Sequence, residues 1–244
     1  MNIALIGYGK MGKAIEAIAI KRGHQICARV DAENPIEKVD LSAADVAIEF
    51  TAPHAVLQHI DYLLEKNIPT VVGTTGWNEA LPSVKDKVEQ ANGALLHASN
   101  FSIGVNLFFE LNKYLAKLMS PQSDYKAQMT EIHHLQKLDA PSGTAISLAD
   151  GITANHKNYN AWFCEEHDTQ NKPANDALEI TALREENVPG THKVTYQSNI
   201  DHITIEHEAF NREGFASGAV VAAEWLIDKK GVFTMQDVLN LNSL

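Results

Sequence analysis

Cysteine is almost absent: only Cys27 and Cys164 occur in 244 residues. They stand far apart without the spacing of a metal site, which excludes a disulfide-stapled scaffold and fits a reducing compartment. Positive charge is scarce as well, since 20 Lys and Arg against 31 Asp and Glu leave a formal net charge of −11. A general nucleic-acid binder needs the opposite balance, so nucleic acid is not an expected partner. The same excess requires that an anionic substrate be gathered by a local basic patch. Long apolar runs are missing too. Ile3 to Ile6 make the only apolar run at the start, too short for a signal peptide and lacking a basic leader. Nothing approaches the ~20 residues of a membrane helix. The expectation is a soluble, cytoplasmic protein with no membrane partner. What is present, 45% apolar and 21% charged residues, is a globular composition long enough for one large domain or two modest ones.

Over the first hundred residues, short apolar runs alternate with helical patterns. Ile3–Ile6, Gln25–Val30, Val46–Phe50, Thr70–Gly73 and Ala94–His97 read as strands. Between them, helices are predicted over Met11–Arg22, from about Pro53 to Lys66, and near Glu79–Ala91. Strand and helix alternating over short connections predict a parallel, doubly wound, Rossmann-like sheet. After Asn100 the pattern changes. A helix over Gly104–Met119 carries Leu107, Phe108, Leu111, Leu115 and Leu118 at a spacing that predicts one buried face. Residues 155–177 are polar and read as a long loop. Thr191–Gln197 and Asp201–Ala209 read as a hairpin about Ser198-Asn199, with Ile203, Ile205, His207 and Ala209 on its packed face. His202, Thr204, Glu206 and Glu208 fall on the other. This is a smaller α+β domain with a mixed or antiparallel sheet. The chain ends in a helix over Phe215–Lys229 and a short one opened by Thr234-Met-Gln-Asp237. These are read as returning to the first domain, which gives a discontinuous dinucleotide-binding domain, 1–103 with 216–244, around a second domain, 104–215.

Gly7-Tyr-Gly-Lys-Met-Gly12 directly follows a strand and opens a helix. Its glycines permit a tight turn and let backbone N–H groups approach a pyrophosphate, so Gly7, Tyr8, Gly9, Lys10, Met11 and Gly12 are candidate cofactor contacts. Asp31 ends the second strand about twenty residues on and can accept from the adenine ribose hydroxyls. Ala32 and Glu33 follow it, and no arginine stands ready for a 2′-phosphate; Lys10 and Arg29 are the nearby cations. NADH is therefore expected to be preferred over NADPH. Two further turns follow strand ends, where ligands of open α/β sheets lie. They add Gly73, Thr74 and Thr75, then Ala98, Ser99, Asn100 and Phe101, as cofactor contacts.

The densest chemistry lies in Glu131-Ile-His-His-Leu-Gln-Lys-Leu-Asp-Ala-Pro-Ser-Gly-Thr144. Proton donors, a cation and small-anion donors together are what a site needs to polarise an imine and hold a carboxylate, and a histidine is suited to deliver the proton. On a strand, His133 and His134 point to opposite faces, so at most one meets the reacting carbon. Lys137 supplies a point charge for a carboxylate or for the developing negative charge. Successive N–H groups of Ser142, Gly143 and Thr144, where a helix begins, form an anion nest. Arg212 is a candidate carboxylate clamp with fork geometry, or equally an interface residue. The adjacent histidines lack i, i+4 spacing and a nearby third ligand, so no metal is expected. His202 and His207 fall on opposite faces of one strand and cannot share an ion. His207 reads as a packed histidine, His192 is undecided, and Glu131, Asp139 and Glu206 read as structural.

Over essentially its full length the chain resembles the 4-hydroxy-tetrahydrodipicolinate reductase (dihydrodipicolinate reductase) family. The glycine turn, Gly73-Thr-Thr-Gly76, Asn100-Phe-Ser-Ile-Gly-Val-Asn106, Glu131 to Ala145, and Arg212-Glu-Gly-Phe-Ala-Ser-Gly-Ala219 carry the likeness in order. The fourth is highly specific. The resemblance implies NAD(P)H-dependent reduction of a cyclic dicarboxylate in lysine and diaminopimelate biosynthesis. Hydride goes to substrate C4 and the 4-hydroxyl is lost. It further implies a C-terminal domain that binds substrate and builds a homotetramer. His133 matches the proton donor, Lys137 the second catalytic residue, His134 a substrate contact, and Gly143 with Thr144 a carboxylate site. Two rivals remain at this point. One is another nicotinamide-dependent reductase such as an amino-acid dehydrogenase, which need not combine Lys137 with Ser142-Gly-Thr144. The other is a redox sensor that binds NADH without turnover, which needs a partner surface not visible in this acidic chain.

Overall fold

The computed structural model describes residues 1–165, 176–211 and 213–242. Along the chain the elements are β1 (Asn2–Ile6), α1 (Lys10–Lys21), β2 (Gln25–Val30), β3 (Val46–Glu49), α2 (Val56–Glu65), β4 (Thr70–Val72), α3 (Leu81–Gln90), β5 (Ala94–His97), α4 (Ile103–Met119), β6 (Lys126–His134), α5 (Gly143–Thr153), β7 (Ala161–Cys164), β8 (Ala177–Glu185), β9 (Gly190–Gln197), β10 (His202–Ala209), α6 (Glu213–Leu226), β11 (Gly231–Phe233) and α7 (Met235–Val238). They form two compact units, Met1–Ile103 with Glu213–Leu244, and Gly104–Arg212.

The first unit holds a six-stranded, all-parallel sheet in the order β11-β5-β4-β3-β1-β2. Its strands are near-continuous apolar runs because both faces are covered. On one face Ile3, Leu5, Ile48, Val71 and Leu96 pack with Ile15 and Ala19 of α1 and with Ala219, Ala222, Ala223 and Leu226 of α6. On the other, Val72 and Leu95 meet Val56 and Ile60 of α2 and Val84 and Val88 of α3, while Ala4, Ile6 and Ala47 meet Leu63. The chain leaves β1 toward one side and β3 toward the other, so the order reverses between these strands, at whose carboxyl ends a doubly wound sheet has its crevice. The Rossmann-like expectation holds. The strand β11 was not foreseen: three residues at the C-terminal edge carry too short a pattern to read.

The second unit has a mixed sheet in the order β10-β9-β6-β8-β7. β6 runs antiparallel to β9 and parallel to β8, and β9 with β10 forms the expected hairpin. Ala127, Met129, Ile180, Ala182, Val194 and Tyr196 of the sheet are buried beneath Phe108, Ala116 and Met119 of α4 and Ala145, Leu148 and Ile152 of α5. Two expectations are corrected here. The span 155–177 is not simply a loop, because β7 lies within it and pairs with β8; residues 166–175 lie outside the described residues. And α4 buries only part of the predicted stripe, Phe108 with Leu115 packed beside it. Leu107, Leu111 and Leu118 are about half exposed (48%, 49% and 51%), while Val105, Phe108, Asn112, Ala116 and Met119 are buried. The helix is apolar on two sides, and Asn112 marks the buried one. Its Nδ2 donates to the Leu148 carbonyl of α5 at 2.9 Å.

Candidate active site

In the first unit the glycine turn is fixed by what surrounds it. Gly7 has φ +100°, and a Cβ there would lie 2.0 Å from the Phe50 carbonyl oxygen; at Gly12 it would lie 2.2 Å from that of Gly7. Gly9 differs, since nothing stands within 4 Å of the place its Cβ would take. Gly9 also caps α1 without a side chain, and no acidic residue occupies the first turn. The positive end of α1 therefore faces room for an anion, which suits a dinucleotide pyrophosphate. Lys10 is exposed, Tyr8 and Met11 are half-buried. The Tyr8 hydroxyl donates to Glu16, which also binds Arg29, whose guanidinium lies 5.5 Å from the Tyr8 ring centre.

Asp31 stands just beyond β2, where Oδ1 accepts from Glu33 N at 3.0 Å and Asn34 N at 2.8 Å. These bonds, led by Asn34, hold its carboxyl below the usual range. Thr74 and Phe101 are placed less favourably than expected. Thr74 Oγ1 accepts from Thr51 N at 2.7 Å and its carbonyl from Trp77 Nε1 at 2.7 Å, tying the turns after β3 and β4 together. The Phe101 side chain is core, 2% exposed and 5.7 Å from the Phe50 ring. Only its backbone is left for a ligand. The Phe50 ring fills the space a Cβ would need at Gly73. Asn100 Oδ1 accepts from Ser102 N at 2.8 Å, while Thr75 and Ser99 are exposed and Ala98 half-buried. Glu49, which the sequence did not single out, is fully buried at the end of β3, where it takes a bond from Thr51 and lies 3.3 Å from His59 Nδ1.

In the second unit, strand register gathers the chemistry. His133 pairs with Arg184 across β6 and β8, and Glu131 with His192 across β6 and β9. Alternation puts all four side chains on the helix-covered face. Glu131 is fully buried; Arg184 Nη1 and Nη2 donate to its Oε1 at 3.2 and 3.1 Å. His133, 8% exposed, places Nδ1 2.8 Å from Glu131 Oε2, off the straight line of an ideal hydrogen bond. His192 lies edge-on to His133, ring centres 5.1 Å apart, with Nε2 3.1 Å from Ser142 Oγ. Burial alone raises the pKa of Glu131, but His133, Ser142 and Arg184 outweigh it and pull it to about 2. Burial and the charge of His133 pull His192 down to about 4.

Arg184 also clips the loop beyond β6, with Nη2 on the Asp139 carbonyl at 2.7 Å and Nε on the Lys137 carbonyl at 3.3 Å. Lys137 is thereby held next to this cluster; its Nζ bonds both Asp139 carboxylate oxygens at 2.8 and 2.7 Å. Ser142 caps α5, accepting from Ala145 N at 3.1 Å. Its hydroxyl is thus turned inward, and its contribution to an anion site is reduced to the backbone. Gly143 has open space where a Cβ would stand, and Thr144 follows it, half-buried in the first turn of α5. His134 faces the other way and lines an open hollow of about 250 Å³ with Gln136, Asn187, Val188, Pro189 and Asn211. Arg212 lies outside the described residues.

Glu131, read from sequence as structural, is the centre of the cluster, and His133, though not His134, has ligand-type neighbours that the sequence did not reveal. Glu131, His133 and His192 bring ligand atoms within 4.8 Å of one another. Even so, the Arg184 guanidinium on Glu131 opposes a cation there. The 2.8 Å between Nδ1 and Oε2 is an N–H to oxygen separation, shorter than the roughly 3.3 Å between ligands set tetrahedrally about zinc.

Comparison with known proteins then places the chain. Residues 1–101 match the family described as dihydrodipicolinate reductase, N-terminus, and residues 104–239 its C-terminus. The chain belongs to the dihydrodipicolinate reductase family. A 4-hydroxy-tetrahydrodipicolinate reductase of Christiangramia forsetii is 50% identical over 242 residues, which cover 98% of each chain. Among solved structures, dipicolinate-bound dihydrodipicolinate reductase from Paenisporosarcina sp. TG-14 shares the fold. Its TM-score is 0.76 at 23% identity, over 96% of this chain and 97% of that one. A DAP dehydrogenase of C. glutamicum in complex with DAP is more distant, at TM-score 0.50 and 14% identity over 96% and 92% of the two chains. Among the described residues no helix is long and apolar enough to cross a membrane.

Proposed function

We propose that the chain catalyses NAD(P)H-dependent reduction of 4-hydroxy-tetrahydrodipicolinate to tetrahydrodipicolinate in lysine and diaminopimelate biosynthesis, as a cytoplasmic homotetramer. The observation that carries this reading is the buried Glu131–His133–Arg184 cluster joined to Lys137 and the α5 terminus. It stands in a family whose 50% identical relative bears that enzyme's name. When bound, the reduced nicotinamide supplies hydride to substrate C4, and the hydroxyl leaves as water. One proton is consumed, and His133 delivers it. Lys137 exchanges Asp139 for a substrate carboxylate or offsets the negative charge that develops. The N–H groups of Gly143 and Thr144 hold a carboxylate at the positive end of α5. His134 and Arg212 are assigned as further substrate contacts.

For the cofactor, Gly7 to Gly12, Asp31, Gly73 to Thr75 and Ala98 to Phe101 form the proposed site, the last through its backbone. NADH is preferred in this reading because Asp31 repels a 2′-phosphate and Arg29 is committed to Glu16. Comparing kcat/KM for NADH and NADPH tests that preference; a clear NADPH advantage removes it. The reaction is tested by following NADH oxidation with enzymatically generated 4-hydroxy-tetrahydrodipicolinate, beside a mixture of 2-oxo acid and ammonia. Consumption with the first only is the expected outcome. Consumption with neither, or only with the second, overturns the assignment.

A further inference from the structure

Nothing in the proton-donor role of His133 says which ring nitrogen acts or what holds the ring. The geometry answers both. Nδ1 is buried 2.8 Å from Glu131 Oε2, close enough for an N–H to oxygen contact although the two atoms are not aligned as a straight hydrogen bond. A carboxylate only accepts, so a ring nitrogen facing it at that distance carries its proton there, and Nε2 of the neutral imidazole is the bare one. The other edge of the ring is set by Gly190, where a Cβ would lie 3.0 Å from His133 Nε2 and 3.3 Å from Cδ2. Gly190 has no positive φ; what the position demands is the absence of a side chain. The groups that face the ring from neighbouring elements are Glu131 on β6, Arg184 on β8, His192 on β9 with His207 beside it on β10, Lys137 and Asp139 in the following loop, and Ser142 at the start of α5. Of these, Glu131 is the acceptor that stands beside Nδ1.

We propose that Glu131, anchored by Arg184, and Gly190 are positioning residues that hold His133 with Nδ1–H toward Glu131, so that Nε2 takes up a proton from solvent, giving the imidazolium, and then passes that proton on. This rests on the reading of His133 as proton donor. Arg184 bonds both Glu131 and the loop that carries Lys137, so one side chain ties the two together. Outer partners that orient a functional histidine typically contribute 10- to 100-fold to activity.

The test is a double-mutant cycle. Glu131→Gln keeps the shape and removes the charge; it is expected to lower kcat by roughly 10²-fold, with both KM values within about threefold. Glu131→Asp is expected to recover part of the loss. Since removing a buried charge beside Arg184 also endangers folding, Gly190→Ala provides a second, purely steric route, expected to lower kcat by about tenfold. In a His133→Gln background neither substitution should lower kcat further, because the ring they position is gone. An equal loss in both backgrounds, or no loss in either, overturns the proposal. A second readout needs no turnover: ¹⁵N shifts of the neutral His133 ring should show the proton on Nδ1 in the wild-type chain. A proton on Nε2 overturns the proposal, whereas wild-type protein that lacks activity but has the Nδ1 tautomer overturns the reaction assignment instead.

Discussion

His192 shows how a single side chain can record the cost of this cluster. Its folded value of about 4, against an ordinary 6.5, comes first from burial and then from the nearby His133 imidazole, whose protonated form repels a second charge. Between those values the unfolded chain binds a proton that the folded chain does not, so stability rises with pH and is lost as pH falls through that window. Glu131 acts in the same direction lower down. Its contribution is complete above its unfolded value of 4.5 and disappears as pH falls toward about 2. The thermal midpoint should therefore decline steadily from pH 7 to pH 3, and His192→Asn should flatten the part between 6.5 and 4. The flattening is partial, because burial also lowers His97, His156 and His207. An unchanged slope in the variant contradicts the account. For the reaction, His133→Gln is expected to lower kcat by about 10²-fold with little effect on NADH affinity, as for loss of a general acid. Thr144→Val should act mainly on substrate KM; an effect confined to NADH binding contradicts the carboxylate role.

At the scale of elements, the two kinds of glycine make opposite predictions. A Cβ at Gly218 of α6 would lie 1.7 Å from the Phe101 carbonyl oxygen, so Gly218→Ala must push the helix off its neighbour. Overpacking of this kind costs about 1–3 kcal/mol or more, and a clear loss of thermal stability is expected. Gly9→Ala meets no atom within 4 Å; it should leave stability nearly intact while raising KM for NADH, since the methyl group takes the space offered to the pyrophosphate. A Gly9→Ala variant with unaltered cofactor kinetics argues against the α1 site. Elements also decide what could be read from sequence. Five strands of the first sheet were legible because each is a buried apolar run set off by turns. The glycine turn was legible because its neighbours are local. Glu131, Arg184 and His192 were not, because strand register between segments about fifty residues apart brings them together, and β8 itself went unseen. The partly misplaced stripe of α4 has a different cause. Periodicity locates an apolar stripe but cannot choose between two of them, and the buried side included Asn112, whose bond to Leu148 is tertiary.

For the whole molecule, the charge of −11 repels anions, while Lys137 and Arg184 are each paired with a carboxylate, Asp139 and Glu131. For the proposed dianionic substrate, raising ionic strength should weaken the long-range repulsion and leave the buried pairs largely intact. The proposed tetramer is checked by light scattering in solution, where a mass of four chains is expected and a monomer contradicts it. The catalytic account is tested most directly by a crystal structure with NADH and pyridine-2,6-dicarboxylate bound. It predicts one carboxylate on the N–H groups of Gly143 and Thr144, Lys137 turned from Asp139 to the ligand, and His133 presenting Nε2 to the ring beside the nicotinamide. A dicarboxylate bound away from His133 and Lys137, or an imidazole presenting Nδ1, would contradict it.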